Sequence, residues 1–237
     1  MMAEYDPCNF SIVVFAKNEA LNLPSVIHQL LQKYPVEKIV VIVDGDIESM
    51  AAILTEKNIK FIEGPNKGKG AALRTAIEAV ESDILVFMDA DGSHDPNEIG
   101  NLVAPLANNE ADLVIGSRFL GGSDEFFSNA ADIIRYSGNV IGNYIINSLW
   151  NRTGKKISDA QNGFRAIKRT IFLGGGLIEN SFSIEQEMVI KCLKKGHRIS
   201  EVPSFEMKRK FGRSHISFFH LFDYIRCMIR NILDLNS

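Results

Sequence analysis

Asp83-Ile84-Leu85-Val86-Phe87-Met88 runs directly into Asp89-Ala90-Asp91-Gly92. Five consecutive apolar residues after Asp83 are too few for a helix, and without alternation they read as a strand buried on both faces. Upstream, Gly64-Pro65-Asn66-Lys67-Gly68 is a turn, and Ala72, Leu73, Ala76, Ile77 and Val80 beyond it share one helical face. The same alternation of strand and helix continues toward the N-terminus. Phe10–Phe15 and Lys38–Val43 are further buried strands, and Lys60–Ile62 is a shorter one. Between them, Leu23, Val26, Ile27, Leu30 and Leu31 recur at helical spacing, and a short helix is predicted over Met50–Lys57. Pro24 is tolerated because it falls in a first turn. Downstream, a helix after Pro96 leads to a fifth strand, Asp112–Ile115. Doubly buried strands alternating with helices predict an α/β fold with a mostly parallel central sheet. Right-handed crossovers then put the strands' C-terminal ends on one edge, where ligands bind.

The rest of the chain is less regular. Gly116–Ala130, rich in Gly, Ser and Asp, reads as a loop long enough to act as a lid. Helices are predicted over Asp132–Asn151 and Ile184–Lys195, and a strand pair around His197–Val202 and Ser204–Met207. In the tail, Phe218, Leu221, Phe222, Ile225, Met228, Ile229 and Ile232 share a helical face, with Asp223, Arg226 and Arg230 off it. That pattern is an amphipathic helix. Its apolar face can dock on the chain's own core, on a second copy in a homodimer, or in a membrane interface.

Composition removes several function classes. At 237 residues, 46% hydrophobic and 23% charged, the chain is neither disordered nor fibrous and can bury a core without disulfides. Cys8, Cys192 and Cys227 are scattered and read as reduced thiols of a cytoplasmic protein. The opening MMAEYDPCNF has no basic, apolar signal-peptide pattern, and the longest apolar runs are far too short to span a bilayer. The net charge of −3 hides a strong polarity. Residues 1–150 carry 10 Lys+Arg against 21 Asp+Glu, whereas residues 151–237 carry 16 against 8. An acidic half can hold a hard cation and a basic half can receive anions or approach acidic lipid, unless the two simply pair. No nucleic-acid partner is expected.

The chemistry concentrates at Asp89 and Asp91. Two carboxylates one residue apart at a strand's C-terminal end face the ligand crevice, and one Mg²⁺ or Mn²⁺ can take both. Rival readings fare differently. An EF-hand beginning at Asp89 would need Gly and Glu where His94 and Gly100 stand. A dehalogenase-type phosphatase also uses two aspartates after a strand, and Ser93 suits it, but that site belongs to an early strand. Gly64–Gly70 lacks the spacing and hydroxyl of a phosphate loop, no GxGxxG follows the first strand, and no Cys/His cluster suggests zinc.

Read in order, IVVFAKNEA, VVIVDGD, GKGAALRTAIEAVESDILVFMDADGSHDP, DLVIGSRF, SDAQNGFRAIKR and EQEMVIKCLKKGHRISEVP resemble the family-2 glycosyltransferases. The likeness spans roughly residues 9–215 and is nearest to the polyprenyl-phosphate (dolichyl-phosphate) mannosyl- and glucosyltransferase branch. Phe15 and Lys17 stand where the first-strand motif has Pro and Tyr. The resemblance implies a GT-A fold, a Rossmann-like sheet flanked by helices, over a single domain 1–237. Residues 1–115 would be its nucleotide-sugar-binding half and residues 116–237 its acceptor-binding half.

It also implies roles. Asn18 and Glu19 would lie near the donor's base, and Asp44 would hold base or ribose. Lys69 would sit beside the carboxylates, and Asp89 and Asp91 would bind the metal that holds the diphosphate. Arg118 and Arg135 would lie near phosphate, Gln161 and Arg165 would support the sugar pocket, and Arg209 and Arg213 would close over phosphate. Glu185 and Glu187 fall where the wider family carries its acidic base, and Asp159 opens the block that contains Gln161. Each has a plainer reading: a surface lysine, loop-to-helix ion pairs, one charged helix flank, a turn cap.

The implied reaction is inverting transfer of a hexose from a donor of GDP-mannose or UDP-glucose type to polyprenyl phosphate at the inner face of the membrane. A hydroxyl acceptor would need a base, Glu187 or Asp159, whereas a lipid monophosphate is already anionic. The basic second half favours the phosphate. The alternatives are the same donor chemistry on a soluble hydroxyl acceptor, and a nucleotide-sugar-binding protein without turnover.

Overall fold

A computed structural model describes residues 9–126, 130–209, 211 and 219–233, with side chains at all of these except 130–135, 219 and 220. Seven strands form one sheet: β1 (Phe10–Lys17), β2 (Ile39–Asp44), β3 (Lys60–Glu63), β4 (Ile84–Asp89), β5 (Leu113–Ser117), β6 (Arg165–Lys168) and β7 (Ile199–Pro203). Their order is β3-β2-β1-β4-β6-β5-β7. All neighbours are parallel except β6, which runs antiparallel between β4 and β5. The mostly parallel α/β sandwich expected from the sequence is therefore the architecture found.

The strands sort their side chains by the period of two. Val13, Phe15, Val40, Ile42, Leu85 and Phe87 enter the core on one face of the sheet. Ile12, Val14, Val41, Val43, Val86 and Met88 enter the core on the other. The first core is covered by α3 (Lys69–Ala79), α6 (Ala130–Leu149) and α7 (Ile184–Lys194). The second is covered by α1 (Leu23–Leu31), α2 (Ile47–Glu56) and α4 (Ile99–Ala107). A helical turn, α5 (Arg118–Gly121), follows β5, and α8 (Phe219–Leu233) packs on α7.

Chain order reverses at β1: β2 and β3 build outward on one side and β4 returns on the other. A crevice therefore opens above the C-terminal ends of β1 and β4. Asp89 ends β4 there, and Asp44 ends β2 beside Lys17 of β1.

Three local departures have physical causes. The strand β6 is only RAIK, too short and too charged to stand out by pattern. The strand expected over Ser204–Met207 is limited to a bridge between Ser123 and Glu206, because Glu98 takes the Ser204 hydroxyl and the Phe205 N–H. The segment Gly116–Ala130 contains α5, and Phe119 and Phe126 pack around Tyr136; residues 127–129 lie outside the described residues.

Candidate active site

A cavity of about 500 Å³ lies at the crevice. Lys17, Glu19, Asp44, Asp89, Asp91, Gln161, Glu206 and Tyr224 are among the residues that line it. Each carboxylate of the central pair carries its own positive partner. Lys69 Nζ lies 2.8 Å from Asp89 Oδ1 and 2.9 Å from Glu185 Oε1. Arg209 Nη2 lies 2.7 Å from Asp91 Oδ2, and its Nη1 is 3.7 Å from Glu19 Oε1. The other oxygen of Asp91 accepts from the Ser93 N–H and hydroxyl at 2.9 and 2.7 Å. Burial pushes the Asp89 carboxyl up, but Lys69, His94 and Arg209 outweigh it and hold it below the usual carboxylate range. Burial likewise works against the Lys69 ammonium, and its two carboxylate partners more than reverse this.

Local backbone geometry brings Lys69 to this place. Gly68, at φ +102°, and Gly70 let the start of α3 press against Glu179 and Asn180; a Cβ at either would fall 2.3 or 2.2 Å from a carbonyl oxygen of that loop. Arg74 fastens the same loop through the Glu179 carbonyl and the Asn180 side chain.

The other expected residues divide into those that face the cavity and those that hold its frame. Glu19, Asp44, Lys69, Asp89, Asp91, Arg118, Gln161 and Arg209 all line it. Asn18 does not: at φ +56° it shapes the turn, its Oδ1 accepting from the Asp46 N–H at 2.9 Å. Asp44 Oδ1 accepts from the Asn66 N–H at 2.8 Å. Gln161 donates to Gln186, which donates to the Tyr224 carbonyl of α8. Arg165, fully buried, donates to the carbonyls of Ala160, Asn162 and Glu185 and so ties the Asp159–Asn162 turn to the start of α7. Burial lowers its pKa. The Arg135 side chain and Arg213 lie outside the described residues.

Asp159 and Glu187, two of the carboxylates expected as bases, are not among the groups that line the cavity. Asp159 is fully buried and takes Arg118 in a two-pronged pair, Nε to Oδ2 and Nη2 to Oδ1, both 2.8 Å. Glu187 is equally buried and accepts from the N–H groups of Ile178 and Glu179, with Lys191 3.3 Å away. Glu185, two residues earlier, does reach the cavity, and its Oε2 is buried without a hydrogen-bond partner.

Some of the framework gave no local sequence signal. Glu206 joins Arg118 to Tyr136 and Ser123, and His94 stacks on Phe164 while its Nδ1 accepts from the Asp89 N–H at 3.4 Å. These contacts join residues far apart in the chain or on facing loops, which spacing does not reveal.

The donor set at the centre is all oxygen, which suits a hard cation. Among the described residues no group of three or more His, Cys, Asp or Glu forms a ready-made metal cage. Two carboxylates suffice for an ion such as Mg²⁺, which commonly completes its shell with water and substrate phosphate oxygens. Asp89 and Asp91 fit that role, and each now satisfies its charge with a basic side chain.

Residues 11–174 match the model of the family described as glycosyl transferase family 2. The chain belongs to glycosyl transferase family 2. Within it, the chain is 27% identical over 230 residues to the dolichol-phosphate mannosyltransferase of Pyrococcus furiosus, covering 93% of this chain and 62% of that one. It is 26% identical over 215 residues to the UDP-N-acetylglucosamine–dolichyl-phosphate N-acetylglucosaminyltransferase of Methanococcus voltae, covering 81% and 83%. It is 27% identical to glycosyltransferase AglJ of Haloferax volcanii, of which the match spans only 55%. Among solved structures, the glucosyl-3-phosphoglycerate synthase of Mycobacterium tuberculosis, in complex with Mn²⁺, UDP and glucosyl-3-phosphoglycerate, superposes with a TM-score of 0.71. It covers 99% of this chain and 85% of that one at 19% identity, a likeness of fold. This family-2 chain therefore carries the GT-A architecture. Among its described residues no helix is long and apolar enough to cross a membrane.

Proposed function

We propose that this family-2 domain transfers a hexose from a nucleoside-diphosphate sugar to the phosphate of a polyprenyl phosphate, with inversion at the anomeric carbon. Residues 1–115 form the nucleotide-sugar half, with Glu185 and Arg209 added from residues 116–237, which otherwise serve the acceptor. The observation that carries the choice of acceptor is the commitment of the three candidate bases: Glu185, the one that lines the cavity, is ion-paired with Lys69 at 2.9 Å. Asp159 is locked on Arg118 and Glu187 on the Ile178–Glu179 backbone, both away from the cavity. A hydroxyl acceptor needs a base worth roughly 10²–10⁴-fold in rate, whereas a phosphate oxygen attacks as the anion it already is. Relatives named for dolichyl-phosphate transfer support the same acceptor.

In this reading Asp44 and Glu19 receive the nucleoside end of the donor. Asp89 and Asp91 are the residues that would hold a divalent cation, Mg²⁺ or Mn²⁺, for the donor's diphosphate. Such an ion, when bound, offsets the charge that grows on the leaving diphosphate. Arg209 then exchanges Asp91 for phosphate oxygens, and Lys69 keeps Asp89 ionised and oriented. The unpartnered Oε2 of Glu185 accepts from a hydroxyl of the sugar. The acceptor's phosphate oxygen bonds to the anomeric carbon as the bond to the diphosphate oxygen breaks, and the electron pair leaves with the nucleoside diphosphate. The exposed apolar residues of α8 bring the domain to the cytoplasmic membrane surface where such an acceptor lies.

A panel of nucleoside-diphosphate sugars with polyprenyl phosphate and divalent cation tests the proposal. The expected product is a lipid-extractable sugar phosphate. Transfer confined to a soluble hydroxyl compound would overturn the acceptor, and tight nucleotide binding without any turnover would overturn the enzyme.

A further inference from the structure

Three basic groups of the cavity are already engaged. Arg118 is paired on two sides with Asp159 and reaches Glu206, Arg209 lies on Asp91, and Lys69 is shared by Asp89 and Glu185. Arg226 of α8 lines the same cavity on different terms. Its guanidinium stands 3.2 Å from Asp223 Oδ1 and 3.5 Å from Glu179 Oε2, and its side chain is 59% exposed. Glu179 does not depend on it, because Arg230 at 2.8 Å and the Ser183 hydroxyl at 2.9 Å hold that carboxylate. The other partner of Arg226, Asp223 one turn back on the same helix, forms only a solvent-screened i,i+3 pair, so the guanidinium can exchange that partner for another anion in the cavity. On the same helix, Ile225 and Ile229 are exposed next to Arg226. An exposed guanidinium that lines a cavity and has exposed isoleucines beside it is complementary to an anionic head on a hydrocarbon tail.

We propose that Arg226 receives the phosphate of the acceptor, a long-chain phosphomonoester whose hydrocarbon lies along Ile225 and Ile229. This rests on the polyprenyl-phosphate reading and adds to it a binding residue that lies past the family-matched segment. Guanidinium forks bind phosphate with two parallel hydrogen bonds, so lysine replaces arginine only in part.

The test is steady-state kinetics in detergent micelles free of phospholipid. Arg226→Ala is expected to raise the acceptor KM about 10- to 100-fold while leaving the donor KM and the melting temperature unchanged. Arg226→Lys should recover part of the loss. Ile225→Ser with Ile229→Ser should raise KM for a long-chain acceptor and leave a short, water-soluble isoprenyl phosphate unaffected. An unchanged acceptor KM, or donor and acceptor KM values that rise together, overturns the assignment. So does a defect seen only with anionic vesicles, since the bound phosphate is then a membrane headgroup. If the unaltered enzyme makes no lipid-linked sugar, the acceptor reading itself fails, and the inference with it.

Discussion

Glu187 illustrates how an acidic residue in a family's catalytic block can serve the backbone. Its carboxylate accepts two main-chain N–H groups from the loop whose next residues, Asn180 to Phe182, form a cavity wall. Glu187→Gln keeps an acceptor oxygen there and loses the charge. The expected result is a loss of about 1–3 kcal/mol in urea unfolding with kcat reduced only severalfold. A general base removed would instead cost 10²–10⁴ in kcat with stability unchanged, and that pattern would return Glu187 to the chemistry. Asp159 poses the same question with a different partner. Its removal strands the buried Arg118, so a loss of activity there would not separate holding from catalysis. Glu187 is the cleaner probe.

At the scale of elements, α8 packs on α7, and each helix carries one buried thiol, Cys227 and Cys192 respectively. Burial pushes both thiols up to about 12, so each stays protonated in the fold. The unfolded chain releases those protons near pH 8.5. Above that pH the unfolded state binds fewer protons than the folded one, so stability must fall as pH rises. A loss of about 2 kcal/mol per thiol is expected by pH 10, read from urea midpoints at pH 8 and pH 10. The Cys192→Ala, Cys227→Ala double variant should lose most of that slope, and an identical slope would contradict the burial argument. How much the sequence disclosed also varies by element. The strands β1, β2, β4 and β5 were plain because burial on both faces leaves an uninterrupted apolar run. Four-residue β6 was hidden, since its place is fixed by pairing with β4 and β5 and by no pattern of its own. The tail helix was legible as amphipathic, but its apolar arc is divided: Met228 and Ile232 meet the core while Leu221, Phe222, Ile225 and Ile229 stay exposed. Periodicity gives the width of an arc and cannot say how much of it the core covers.

At the scale of the whole molecule, the charge polarity of the sequence becomes a seam. Acidic Glu19, Asp89 and Asp91 from the first half meet basic Arg209 from the second across one cavity. Asp89 and Asp91 were legible because they follow a buried strand at a sheet edge. Glu206 and Arg226 were not, because their relation to the cavity is made only by the folding of distant segments. At this seam Arg209 and Lys69 are the groups that satisfy Asp91 and Asp89, the carboxylates of the proposed cation site. The most direct measurement is calorimetric titration of a nucleoside diphosphate, with and without Mn²⁺, into the unaltered protein and into Asp91→Asn. The account predicts that Mn²⁺ tightens nucleotide binding at least tenfold in the unaltered protein, and that Asp91→Asn abolishes this gain while metal-free binding persists. Equal nucleotide affinity with and without Mn²⁺ in the unaltered protein, or a full Mn²⁺ effect in Asp91→Asn, would contradict it.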